Sequence, residues 1–145
     1  MSKKPLLICV VGATAIGKTT LSIALAKAFD TEIISADSRQ FYTSMNIGTA
    51  VPSTQELAAA PHHFIQHKSI FDTYSVGDFE REALLKLDTL FSEKSTAILV
   101  GGSGLYVDAV VNGLDHFPDI EKEIRETLNT QLDNNGLQLL QQELM

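Results

Sequence analysis

This chain of 145 residues has no tryptophan and a single cysteine, Cys9. A lone cysteine excludes an internal disulfide framework and fits a reducing compartment. Within the apolar run 6–11 it reads as a small buried hydrophobe. Basic charge is scarce, with 11 Lys and Arg against 18 Asp and Glu and a net charge of -7. That excludes the basic footprint of a self-sufficient nucleic-acid binder. The deficit is concentrated after residue 114, where seven acids, Asp119 among them, face only Lys122 and Arg125. Long apolar runs are missing too, and no stretch approaches the ~18 residues of a membrane span. Lys3 and Lys4 before the apolar run, with Ala13-Thr14-Ala15 after it, give a superficial signal-peptide match. Cleavage there would cut through the loop described next, so a cytoplasmic protein is expected. What remains, 44% hydrophobic and 20% charged residues, is the composition of a globular domain with a real core.

Residues 12–19 read GATAIGKT. The pattern G-x-x-x-x-G-K-[ST], with an apolar strand before it and helix formers after it, is a phosphate-binding loop. Its glycines let backbone N–H groups converge on an anion. The helix start adds partial positive charge, and Lys18 adds a full one. The Thr19 hydroxyl can bind Mg²⁺. The spacing specifies a polyphosphate or diphosphate, and does not by itself specify a nucleotide.

The rest of the chain alternates strands and helices. LLICVV (6–11) reads as a strand buried on both faces. In the helix 18–29, Leu21, Leu25 and Ala28 fall on one face. TEIISA (31–36) is a second strand, and 38–53 is irregular. Ser75 to Asp78 is a capping box before the stripe Phe79, Ala83, Leu87, Leu90, which predicts a helix over 76–91. TAILV (96–100) is a further buried strand. Gly101-Gly102-Ser103-Gly104 turns from it into a helix ended by Gly113. Ile120, Ile124, Leu128 and Leu132 mark a last helix. The alternation predicts an α/β fold, P-loop NTPase-like, with three layers and a mostly parallel sheet. Residues 1–114 are expected to form the core and 115–145 a further helical segment. The chain stops at QLLQQELM inside a helical pattern, which points to a truncated piece of a longer protein.

Three further stretches bear on chemistry. In ADSRQFY (36–42), Asp37 ends a strand where ligands sit in open α/β sheets. It can take a proton from a nucleophile, help hold Mg²⁺, or simply form a turn. Arg39 and Gln40 offer a bidentate cation and an amide able to read a base edge. ILVGGSGLY (98–106) ends its strand in Gly-Gly, where a carboxylate placing Mg²⁺ is usual, and makes a second anion cradle with the Ser103 hydroxyl. PHHFIQHKSIFD (61–72) carries three histidines, but adjacent His62 and His63 lack a metal-ligand spacing. Packing, or a polar contact at a strand end, is the expectation for them.

Taken together, GATAIGKT, ISADSRQFY, MNIGTA, PHHFI, YSVGDF and LVGGSGLY resemble the tRNA dimethylallyltransferase family, also called tRNA isopentenyltransferases, in family order over residues 8–106. The family usually has Pro at the position of Ala13, commonly Thr at Ser103, and Asp at Gln66, so Gln66 receives no catalytic role. The resemblance implies transfer of the dimethylallyl group of dimethylallyl diphosphate to the exocyclic amine of the adenosine beside the tRNA anticodon. It implies that Gly12, Ala13, Thr14, Ala15, Ile16, Gly17, Lys18 and Thr19 hold the diphosphate, with Thr19 the ligand of a Mg²⁺ cofactor. Asp37 would be the base, and Ser103 would bond the diphosphate oxygen nearest the breaking bond. Asp37, Ser38, Arg39, Gln40, Ser103 and Arg125 would contact tRNA, and 115–145 would be the start of a helical insertion or tRNA-binding region. The partners implied are tRNA and dimethylallyl diphosphate, with no membrane, in a monomer; the 145-residue piece alone should be weakly active. The rivals are a P-loop small-molecule kinase with Asp37 as base, a prenyltransferase acting on free adenine nucleotides, and a noncatalytic nucleotide-binding module.

Overall fold

A computed structural model describes residues 4–115 and 120–144. Lys3 and Asp119, counted among the charges above, lie outside the described residues. The chain divides into two compact units, Met1–Leu114 and Asp115–Met145.

The first unit is built on four parallel strands in the order β1-β4-β2-β3. These are β1 (Leu6–Val11), β2 (Ile33–Ser35), β3 (His62–His63) and β4 (Thr96–Gly101). Helices α1 (Lys18–Ala28), α2 (Thr54–Ala59), α3 (Val76–Glu93) and α4 (Gly104–Asn112) connect and follow them. The period of two along each strand divides the core. Val10, Ile33 and Ile98 pack with Ile23 and Ala26 of α1 on one face. Ile34, Ala97 and Leu99 pack with the α3 stripe Phe79, Ala83, Leu87, Leu90 and with Val107 and Val110 of α4 on the other. That is the three-layer α/β arrangement the alternation predicts. Among the described residues no helix is long and apolar enough to cross a membrane.

Four expectations change. Within the described sheet β1 pairs only with β4, so it is an end strand: Leu6 is 51% and Val11 59% exposed. Cys9 is exposed for the same reason, although its partial burial still raises the thiol pKa. On α1 the buried residues are Ser22, Ile23 and Ala26, while Leu21 is exposed. This helix is apolar nearly all round, so its period does not single out the inward face. Residues 54–63 hold α2 and the two-residue β3, neither expected. Yet Ser53 and Glu56 form a full capping box, a signal readable as S-x-x-E before an apolar run.

The second unit contains α5 (Lys122–Asn135) and α6 (Leu137–Glu143), with no buried residue in either helix. The predicted stripe is present but exposed: Ile124 50%, Leu128 43% and Leu132 39%.

Candidate functional site

Because the strands are parallel, the segments leaving β1, β2 and β4 gather at one sheet edge, where open α/β folds bind ligands. Segment 12–17 leaves β1 and enters α1. Gly17 is the N-cap of α1 at φ 95, a left-handed conformation that a side chain strains. No side chain caps α1 and no acid sits in its first turn, so its N–H groups are available to an anion. Lys18 Nζ donates to the Ala13 carbonyl at 2.7 Å, folding the ammonium over the loop. The second glycine turn lies against the first: a Cβ on Gly102 would stand 3.6 Å from the Gly12 carbonyl oxygen and 3.9 Å from Lys18 Nζ.

Two cavities open here. One, of about 250 Å³, is lined by Lys18, Thr19, Asp37, Gln40, Glu56 and His62, among others. The second, of about 360 Å³, is lined by Asp37, Ser38, Arg39, Thr49, Gly102 and Ser103, with Thr14 and Gly48. Thr14 and Asp37 belong to both. A donor held on the phosphate loop and an acceptor held beside Ser103 would meet at Asp37.

Asp37 also makes a turn, its Oδ1 accepting the Arg39 N–H at 3.1 Å. The turn reading and the catalytic one are therefore compatible, since the turn fixes the carboxylate. Ser103 does not cap α4. Its Oγ accepts the Ser38 N–H at 3.2 Å and lies 3.2 Å from Ser38 Oγ, joining the segments that leave β2 and β4. Arg39 is exposed at the second cavity. Gln40 is buried, and its amide donates to the Thr49 carbonyl at 3.1 Å and the Ala50 carbonyl at 2.9 Å. Its amide thus holds a neighbouring loop. Gln66 braces the same region by donating to the Thr43 carbonyl and Asn46. Ala13 and Ile16 are exposed loop residues. Ala15, at φ 64, and Ala50, at φ 51, line the first cavity in left-handed conformations costly for a residue with a Cβ. Arg125 is an exposed residue of α5, in the second unit.

Sequence reasoning missed Glu56 and His62 as cavity residues, because both depend on α2 and β3. The histidines take separate polar partners. His62 Nδ1 lies 2.8 Å from the Ala60 carbonyl, His63 Nε2 2.5 Å from Glu32, and His67 Nε2 3.8 Å from Glu82. Burial lowers the pKa of His62, and the Ser53 N–H lowers that of Glu56. Among the described residues no three His, Cys, Asp or Glu side chains gather as a metal cage. The half-buried Thr19 hydroxyl and the Asp37 carboxylate could hold Mg²⁺, which takes one or two protein oxygens and completes its shell with waters and phosphate oxygens.

A family model described as IPP transferase matches residues 40–145. A tRNA dimethylallyltransferase of Flavobacterium psychrophilum is 63% identical over 138 residues, covering 95% of this chain and 45% of the relative. One of Christiangramia forsetii is 60% identical over 138 residues, covering 95% of this chain and 46% of the relative. The chain thus spans about half the length of the curated relatives it matches. Among solved structures, the full-length tRNA isopentenylpyrophosphate transferase of Bacillus halodurans gives a TM-score of 0.74 at 36% identity, covering 99% of this chain and 47% of that one. A eukaryotic dimethylallyltransferase acting on tRNA gives 0.73 at 26% identity, covering 91% of this chain and 36% of that one.

Proposed function

The chain belongs to the IPP transferase family, and from that premise we propose that it carries the catalytic core of a tRNA dimethylallyltransferase. The reaction moves the dimethylallyl group of dimethylallyl diphosphate onto the exocyclic amine of the adenosine beside the anticodon. The observation that carries this reading is Asp37, shared by the phosphate-loop cavity and the cavity beside Ser103.

The chemistry follows from that sharing. The diphosphate lies on residues 12–19, with the N–H groups at the start of α1 and Lys18 against its oxygens. The adenine, turned out of its stack, enters between Ser38, Arg39 and Ser103. The allylic C–O bond breaks and its electron pair leaves with the diphosphate, while the amine nitrogen forms the new bond to carbon. Preorganised donors stabilise the growing negative charge on the leaving group. The Asp37 carboxylate, fixed at Oδ1 by the Arg39 N–H, takes the amine proton at Oδ2. Ser103 Oγ donates to the diphosphate oxygen nearest the breaking bond. Mg²⁺ bound at Thr19 would supply further charge neutralisation there. The enzyme is a cytoplasmic monomer in this reading, with tRNA and dimethylallyl diphosphate as its partners. P-loop kinases vary at this strand end but usually carry a carboxylate there; here the position is Gly101, where a Cβ would stand 2.5 Å from the Ala36 carbonyl oxygen, which counts against a kinase.

The test is transfer. Given dimethylallyl diphosphate, Mg²⁺ and an anticodon stem-loop, a protein of the relatives' full length that carries this core should add a five-carbon mass to adenosine, and the 145-residue piece should do so weakly. Asp37→Asn should cut turnover by about 100-fold or more while diphosphate affinity persists. Phosphorylation of a small molecule by ATP without transfer would discard the reading.

A further inference from the structure

Gln40 is buried, and its polar groups are engaged on all sides. Its side-chain nitrogen donates to the Thr49 carbonyl at 3.1 Å and the Ala50 carbonyl at 2.9 Å. Carbonyls only accept, so the nitrogen and not the oxygen of the amide faces them, and its two N–H groups meet two acceptors. Oε1 accepts the Ser35 hydroxyl at 3.3 Å. The backbone N–H of Gln40 donates to the Asp37 carbonyl at 3.0 Å, and its carbonyl accepts the Gln66 N–H at 2.8 Å. Reading a base edge takes a free amide donor, and here it would break the bonds to residues 49 and 50. Those bonds hold a strained segment. Gly48 lies at φ 77 and Ala50 at φ 51, and a residue with a Cβ keeps a left-handed conformation only where its surroundings fix it. The segment is also a wall of both cavities. Gly48 and Thr49 line the one beside Ser103, and Ala50 and Pro52 line the one at the phosphate loop, as does Gln40 itself. Asp37, which both cavities share, and the wall they share are thus tied together through one residue.

We propose that Gln40 is a positioning residue that holds segment 48–52 as the common wall of the two cavities and does not read the adenine. The proposal rests on the reading of residues 12–19 as a diphosphate site. If the wall opens, water enters and weakens the attraction between Lys18 and the anion. Inorganic diphosphate titrated into the protein with no base present separates the two roles, since a base reader contributes nothing there. Gln40→Met has similar length and no hydrogen-bonding amide. It should lose about tenfold in diphosphate affinity. Its amides 46–51 should exchange hydrogen faster, with the rest of the first unit as in wild type. Gln40→Glu keeps an acceptor for Ser35 but turns a carboxylate on the two carbonyls, and should lose at least as much. Adding Ala50→Gly to Gln40→Met lets the segment take its φ without strain and should regain part of the loss. Ser75→Ala, which removes the cap of α3, should keep wild-type affinity, so that lost stability alone is not the cause. Undiminished affinity in either Gln40 variant, faster exchange throughout the unit, no regain from Ala50→Gly, or an equal loss in Ser75→Ala would overturn the proposal alone. Failure of both Gln40 variants to fold would do the same, by making Gln40 a requirement of the whole fold. Absence of any diphosphate affinity in wild type would overturn the diphosphate reading and the proposal together.

Discussion

Gly101 ends β4 where a side chain would strike backbone: a Cβ would meet the Ala36 carbonyl oxygen at 2.5 Å and its carbon at 2.8 Å. Backbone cannot yield as a flexible side-chain tip can. Gly101→Ala should therefore destabilise the protein by about 1–3 kcal/mol, seen as a lower urea midpoint. An unchanged midpoint would mean that the ends of β2 and β4 adjust freely. The same closeness explains why this strand end carries no carboxylate, a feature the sequence displays without its reason. Asp37 was legible by type and by position at a strand end. Its place in two cavities depends on loops 48–52 and 101–103, whose meeting joins residues far apart in the chain.

Among the helices of the first unit, side-chain caps divide α2 and α3 from α1 and α4. Helices α2 and α3 begin with complete capping boxes at Ser53/Glu56 and Ser75/Asp78. Helices α1 and α4, which begin at the phosphate loop and the glycine turn, have no side-chain cap. Ser75→Ala should cost about 1 kcal/mol of stability, measured by thermal or urea unfolding. Ser103→Ala should cost clearly less, since its hydroxyl contacts Ser38 and does not cap α4; equal losses would refute the distinction. The strands of the core, α3 and the phosphate loop were readable because apolar period and cap residues agree there. The inward face of α1 was not, because both of its faces are apolar. The exposure of Cys9 was not either: an end strand and a central strand read alike, and only pairing distinguishes them.

Across the whole first unit, Phe41 centres an aromatic cluster drawn from loops, α3 and α4. Its ring lies 5.1–5.5 Å from Phe79, Tyr74, His67 and Tyr106. Burial lowers the pKa of His67; neighbouring Lys68 adds to the shift and Glu82 opposes it. Tyr74, whose hydroxyl donates to Glu82 at 2.8 Å, has its pKa raised by burial and by that bond. For His67 the unfolded chain, with a pKa near 6.5, takes up its proton first as pH falls. Stability should therefore decline below about pH 6.5 and level off once the folded pKa is passed. His67→Gln should reduce the fall of the urea midpoint between about pH 7.5 and 5.5, leaving the part that His62, whose pKa burial also lowers, contributes; an unchanged slope would show that His67 does not titrate on unfolding. For Glu82 burial raises the pKa, but the bonds from Lys68 and Tyr74 prevail and lower it. Its contribution is present above the ordinary carboxyl pKa of 4.5 and is lost as pH falls through the lower folded value, a separate and more acid window.

By itself the sequence determined the phosphate loop, the α/β alternation, the parallel layers and the family resemblance. Each rests on short-range spacing, which a linear chain displays in full. Only the tertiary structure decided that β1 stands at the end of the described sheet and that Asp37 joins two cavities. It also decided that the Gln40 amide holds a loop and that Glu56 and His62 line the phosphate-loop cavity. These depend on contacts between distant residues and on which strand lies beside which, and no local period encodes either.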